Sequence, residues 1–354
     1  MSNEATRAPR ATTAGNEWIT LLCDNGRTGG QRARPFDSPS RARWQLRLGS
    51  SVRSAPVLYQ ATLYVSSLAG HLHAVNVETG RLKWKFEATG QIHSTPSLYK
   101  NKVLFGSDGG RVYAVDRETG RKVWEVSTQG EVWASPVVRS GVVYFGSADS
   151  HVYAADADSG KAHWKRQLRG RVYSTAYVAE KNLYVGCGDG HVHSLDAASG
   201  NILWSMATGN GIDSSPALVG DTLFVGSEDF FVYALDAGNG AVRWKYETGL
   251  GISSSPAATG DMVYIGSKDG FVYAFGTKTG ELKWKTRAGE VVTSPLVSSE
   301  GVVYVQSSGT TALEAATGKV IWRAGLGGSV QGAPVVAEGV VYVAGNGGDV
   351  YALE

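Results

Sequence analysis

The chain has 354 residues, 42% hydrophobic and 19% charged, a balance that excludes a disordered protein. Its formal net charge of +2 is too small to argue for a nucleic-acid partner. The two cysteines, Cys23 and Cys187, lie far apart, which excludes a disulfide framework and a CxxC metal knuckle, and no apolar run approaches the roughly 18 residues of a membrane span.

Residues 1–16 are rich in Ala, Thr and Arg and contain no apolar stretch of the kind a signal peptide needs, so they read as a disordered leader. For the chain as it stands this points to the cytoplasm, and to the periplasm or a secreted location if a leader has been removed. Residues 1–53 carry nine arginines and no lysine against four acids. Such a start suits a polyanion or a membrane surface, and a solvated leader is the simpler reading. Residues 17–40 differ: Trp18 and the turn-rich Asp24-Asn25-Gly26-Arg27-Thr28-Gly29 predict an ordered cap.

From residue 41 onward the chain is periodic. Trp44, Trp84, Trp124, Trp164, Trp204, Trp244, Trp284 and Trp322 follow one another at steps of 40 residues, the last step being 38. The unit around Ile252 predicts four short strands. The first is Ile252–Ala257, with a Ser-Pro step inside it. The second is Met262–Gly266, the third Phe271–Phe275 after the turn Lys268-Asp269-Gly270, and the fourth ends near Lys285 and carries Trp284. Four strands in about 40 residues cannot bury both faces alone, so the units must stack radially with the tryptophan between them. Tryptophans count eight units. The Pro steps also count eight: Pro56, Pro96, Pro136, Ala176 as a substitute, Pro216, Pro256, Pro295 and Pro334. The repeat opens on a fourth strand, 43–48, and closes on a third, 350–353. The expected fold is therefore all-β: an eight-bladed β-propeller of four-stranded antiparallel blades over residues 41–354, closed by the amino-terminal strand joining the last blade.

The phrase Val-Tyr-Ala-Leu/Val-Asp, then Thr-Gly, then Trp resembles the pyrroloquinoline-quinone-type propeller repeat over residues 43–354. The Asp24…Arg27-Thr28-Gly29 segment is similar to the start of stand-alone members. The family includes quinoprotein alcohol dehydrogenases, the propeller lipoprotein of the outer-membrane barrel-assembly machine, and sensor domains of some bacterial Ser/Thr kinases. The resemblance implies a fold more than a function. The quinoprotein enzymes hold their quinone with a vicinal Cys-Cys ring and a calcium site. This sequence has no adjacent cysteines and only short loops, so neither quinone nor calcium is expected. Cys23 follows no leader of the lipoprotein kind, and the meaning left is a scaffold or sensor.

Two rings of positions vary from blade to blade. Three residues before each Pro position stand Arg53, His93, Trp133, Tyr173, Asp213, Ser253, Val292 and Gln331, at the predicted mouth of the central channel. A ligand pocket here would use Trp133 and Tyr173 for packing, Arg53 for an anion, and His93 with Asp213 as acid and base. The alternative is a solvated funnel. At the heads of the third strands stand His71, Arg111, His151, His191, Phe231, Phe271, Thr310 and Asp349, with Phe230-Phe231 replacing turn residues; this is a protein-binding face or aromatic packing between blades. The His71/His73 and His191/His193 pairs have the spacing to chelate, but His73 and His193 fall where other blades carry tyrosine, so no metal is expected. Cys187 replaces a serine, and the Ser307–Thr310 hairpin is short.

The reading that follows is a monomeric, non-catalytic scaffold presenting its channel mouth to a protein or small molecule. The first alternative is a lyase, cyclase or hydrolase using His93, Tyr173, Asp213 and Arg53. The second is a quinone-dependent dehydrogenase.

Overall fold

The computed structural model describes residues 42–354 apart from 291, 293–296, 300, 326–331 and 338. The leader, the cap and Gln331 lie outside these residues. The described chain forms eight four-stranded antiparallel sheets. In the first blade, β2 (Val57–Tyr59), β3 (Thr62–Ser66), β4 (His71–Asn76) and β5 (Leu82–Glu87) follow in chain order. The last blade takes its fourth strand from the other end of the repeat. There β1 (Ala42–Arg47) pairs with Asp349–Leu353, with Trp44 opposite Ala352 and Arg47 opposite Asp349. Among the described residues no helix is long and apolar enough to cross a membrane.

Burial follows from radial stacking. Second strands such as Thr62–Ser66 are buried at every position, because each is sandwiched by neighbouring blades on both faces. This explains apolar runs such as Val-Tyr-Phe and Val-Tyr-Ile without polar alternation. Fourth strands lie at the rim and alternate, so that in Leu82–Glu87 only Trp84 and Phe86 turn inward. Every repeat tryptophan faces a small residue on the third strand: Trp84 opposite Ala74, Trp204 opposite Ser194, Trp322 opposite Ala312.

The tryptophan also joins blades. Its indole N–H donates to a backbone carbonyl of the next blade, as from Trp84 to Arg117 (3.0 Å), Trp164 to Ala197 (3.1 Å) and Trp244 to Thr277 (3.0 Å). Its ring covers the next blade's turn glycine. Gly200 has φ +69°, and a methyl there would sit 2.6 Å from Trp164. The Thr-Gly or Ser-Gly of the repeat is thus glycine for two reasons, a left-handed backbone and a ring lying on it.

The first strand differs from the sequence expectation. It is Ala257–Thr259, beginning after Pro256 and not at Ile252. The N–H of the residue directly before the proline position donates to a neighbouring blade. The Thr95 N–H donates to Ser135 Oγ (2.9 Å), Ser135 to Thr175 Oγ1 (3.0 Å), Thr175 to Ser215 Oγ (2.9 Å) and Ser215 to Ser255 Oγ (3.0 Å). Ala55 opens this chain of bonds by donating to Thr95 Oγ1 (3.2 Å). The hydroxyls of Thr95, Ser135, Thr175, Ser215 and Ser255 are therefore links in a buried belt that ties the inner ends of these successive blades together.

Candidate functional site

The belt fixes what comes just before it. The residue two positions ahead of each belt hydroxyl is carried to the channel mouth, and one position on, Ser94, Ser174 and Ser214 accept from the N–H of Gly106, Gly186 and Gly226. Arg53 is exposed, and His93, Trp133, Tyr173, Asp213 and Ser253 are half-buried. Val292 is buried and does not reach the mouth.

Three of these residues form one stack across three blades. The His93 ring lies 4.4 Å from Trp133 at 24°, and Trp133 lies 4.4 Å from Tyr173 at 15°. The Arg171 guanidinium covers Tyr173 at 5.0 Å and reaches Asp213 at 3.7 Å. Further round the mouth, Lys268 Nζ meets Glu228 Oε1 at 2.6 Å. The stacked faces are taken up by one another, so what borders the channel is a ledge of ring edges flanked by Arg53 and Arg171.

Carboxylates not foreseen from sequence organise the ledge. Trp133 Nε1 donates to Asp108 Oδ1 at 2.8 Å, and His93 Nε2 lies 3.5 Å from Asp108 Oδ2. Tyr173 donates to Glu131 at 3.4 Å. Burial lowers the pKa of His93, helped by Arg53 and opposed by Asp108, so the imidazole is neutral near pH 7. Burial raises the pKa of Asp108 and of Asp213. The acid–base partners envisaged from sequence are thus engaged elsewhere: His93 with Asp108, and Asp213 with Arg171. Asp108, Glu228 and Lys268 each directly follow the serine at the exit of a second strand (Ser107, Ser227, Ser267), and Glu131 and Arg171 stand two positions ahead of a ledge residue. That regular offset is the signal that could have found them.

The heads of the third strands lie outward on the same side and are occupied within their own blades. Arg111 pairs with Glu125 (2.8 Å) and bonds Ser127. His151 Nδ1 lies 2.9 Å from the Asp149 carbonyl, and His191 Nδ1 lies 3.3 Å from that of Asp189. Lys245 covers the half-buried Phe231 ring at 4.5 Å, while Phe230, at φ +79°, is 41% exposed. His73 and His193 are buried, as replacements for tyrosine would be. Burial pushes the Cys187 thiol up to about 12, which leaves it a poor nucleophile.

A family model described as "Outer membrane protein assembly factor BamB" matches residues 29–131, 108–250, 188–309 and 272–354. The chain belongs to the BamB family. No curated protein matches it. Among solved structures, BamB from Moraxella catarrhalis is similar at a TM-score of 0.75 and 20% identity, covering 90% of this chain and 100% of that one. A quinohemoprotein alcohol dehydrogenase from Comamonas testosteroni is similar at a TM-score of 0.81 and 17% identity, covering 97% and 81%. The computationally designed Ika8 protein gives a TM-score of 0.77 at 16% identity, covering 96% and 99%. At these identities the structures share the fold. Family membership supports a binding or scaffold role for the BamB-like propeller.

Proposed function

We propose that this BamB-family propeller is a scaffold that holds a polypeptide partner at its channel mouth, on the ledge formed by His93, Trp133 and Tyr173. The ledge carries the reading. Three half-buried aromatic rings on consecutive blades, flanked by the cations Arg53 and Arg171, occupy positions that the repeat leaves free to vary. Aromatic residues and arginine are the side chains that dominate binding at protein interfaces. The family's description as an assembly factor supports a polypeptide as the partner.

The test is photo-crosslinking in the producing cell, with the crosslinker placed at Arg53 or Arg171 and, as a control, at Val123 on the exposed rim. The scaffold reading expects one defined polypeptide adduct from the mouth positions and none from the rim. With that polypeptide purified, Trp133→Ala should cost about 2 kcal/mol or more, roughly 30-fold in Kd. Equal labelling of mouth and rim, or an unchanged Kd, refutes it.

One observation favours a second reading. His93 and Asp108 form a carboxylate–imidazole pair whose pKa values are drawn toward each other, the arrangement of an acid–base pair in a hydrolase or lyase. An enzyme of this kind would lose turnover in Asp108→Asn while keeping its ligand, whereas a scaffold has no turnover to lose.

A further inference from the structure

In blades three, five and six, a serine, an aspartate and a tyrosine meet at the outer end of the second-to-third-strand turn. Tyr153 donates to Asp149 at 2.6 Å, Tyr233 to Asp229 at 2.7 Å and Tyr273 to Asp269 at 2.6 Å. The aspartate N–H in turn donates to Ser147, Ser227 or Ser267, each at 3.2 Å. Blade four keeps the aspartate, Asp189, and changes both of its companions. Cys187 stands for the serine and His193 for the tyrosine. Two groups that do not hold a soft metal are exchanged together for two that do.

Blade one is the internal control. It has the histidine, His73, but keeps Ser67 and has Ala69 in place of the aspartate. There the ring settles with Nδ1 at 3.3 Å from the Val65 carbonyl. In blade four, His193 Nδ1 lies 2.7 Å from Ser205 Oγ. The other ring nitrogen, Nε2, lies toward Asp189 Oδ2. The two atoms are 3.5 Å apart, too far for a hydrogen bond, and both are buried with no hydrogen-bond partner. In the other blades the tyrosine hydroxyl donates to the aspartate at this point, and the His193 ring makes no such bond to Asp189.

We infer that Cys187 Sγ, Asp189 Oδ2 and His193 Nε2 bind a zinc-class transition-metal ion. The three donors lie within 4.8 Å of one another. Bonds of about 2.3 Å to sulfur and 2.0–2.2 Å to nitrogen and oxygen set donors roughly 3.3–3.6 Å apart around a tetrahedral ion, and His193 Nε2 and Asp189 Oδ2 already stand 3.5 Å apart. Thiolate, imidazole and carboxylate together select zinc over calcium or magnesium. Ser205 Oγ, 2.7 Å from Nδ1, stands where the outer partner of a metal-bound histidine stands and can accept from Nδ1–H when Nε2 takes the metal. On binding, the Cys187 thiol proton leaves to solvent and the thiolate coordinates.

Three protein ligands leave a fourth position open, and Asp189 and His193 both border a cavity of about 530 Å³. Arg169 and His191 stand on its wall. The cation Arg169 makes a small anion, a carboxylate or a phosphate, the fitting fourth ligand beside water. This site is on a different blade turn from the aromatic ledge and does not rest on the ledge's function.

The test is titration of the metal-free full chain with Co²⁺ and with Zn²⁺. One equivalent should bind, and Co²⁺ should give a thiolate-to-cobalt charge-transfer band. Cys187→Ser should abolish the band, while Cys23→Ser and His73→Tyr should keep it. Loss of a ligand in Cys187→Ser or His193→Tyr should weaken binding by more than about 100-fold, and Ser205→Ala by about 10- to 100-fold. The double variant C187S/H193Y restores the trio of the other blades, so a retained circular-dichroism melt with no metal bound supports the site. Failure of the wild-type chain to take up one equivalent, a cobalt spectrum without the thiolate band, or equal binding by C187S/H193Y overturns it.

Discussion

Gly200 and Gly220 both sit at positive φ, +69° and +59°, and differ in what surrounds them. A methyl on Gly200 would meet Trp164 at 2.6 Å, whereas one on Gly220 would meet nothing within 4 Å. Forcing a side chain into the left-handed region costs about 1–2 kcal/mol at either site. At Gly200 the ring must also move, adding about 1–3 kcal/mol of overpacking. The chain itself supports the distinction. The turn position of Gly220 is held at positive φ by Gln60, Lys100 and Ser140 in other blades, while the position of Gly200 is glycine in Gly80, Gly120, Gly160, Gly240 and Gly280 as well. Gly200→Ala should therefore destabilise the chain by about 2–5 kcal/mol and Gly220→Ala by about 1–2 kcal/mol. Guanidinium denaturation followed by circular dichroism measures both. If the two variants unfold at the same midpoint with equal slopes, the indole does not constrain the glycine and the account of the blade junction fails.

Three further outcomes are expected. Thr175→Val removes the acceptor of the buried Ser135 N–H and should cost about 1–3 kcal/mol, while Thr175→Ser keeps the link and should cost much less; equal losses in denaturation would refute the hydroxyl belt. Burial lowers the pKa of His73 to about 4, so the unfolded chain takes up that proton first as pH falls. Stability should drop from pH 6.5 toward pH 4 by on the order of 3 kcal/mol through this residue, and His73→Tyr should flatten the slope; matching pH profiles for the two proteins would refute it. Lys102 and Lys100 both reach Asp158 on the next blade (2.9 and 2.6 Å), but the carboxylate is exposed, so Asp158→Asn should change the melting temperature little, and a large drop would mean that this contact had been misjudged.

How much could be read beforehand depended on whether the cause lay within one repeat. Strand number, blade number and the phase of closure are periodic properties, and Trp44 through Trp322 display them directly. The role of the belt hydroxyls was missed because the partner of each is a backbone N–H in the preceding blade, 40 residues away, and the step was read as proline inside a strand. The ledge positions follow from the same offset from proline, but the pairing of His93 with Asp108 and of Asp213 with Arg171 depends on how a second-to-third-strand turn meets a neighbouring loop. Nothing in local spacing decides between one carboxylate and another at that point. Cys187 and His193 were each visible as departures from the repeat. Their meaning as a pair needed Tyr273 and Asp269 to be seen in contact.

The strand that closes the ring has a consequence in time. Of the described strands β1 leaves the ribosome first, yet its partner, Asp349–Leu353, is about 310 residues later. At usual synthesis rates of about 5–20 residues per second it waits roughly 15–60 s with no strand paired to it while seven blades form beside it. Its sequence suits the wait. Arg43, Gln45 and Arg47 place polar groups along the strand, all on its exposed side, and discourage pairing with a wrong edge. Joining the ring is then a contact of the longest range in the chain, so closure should be the slow step of folding, and a nascent chain halted before its last blade would be held open with two free edges.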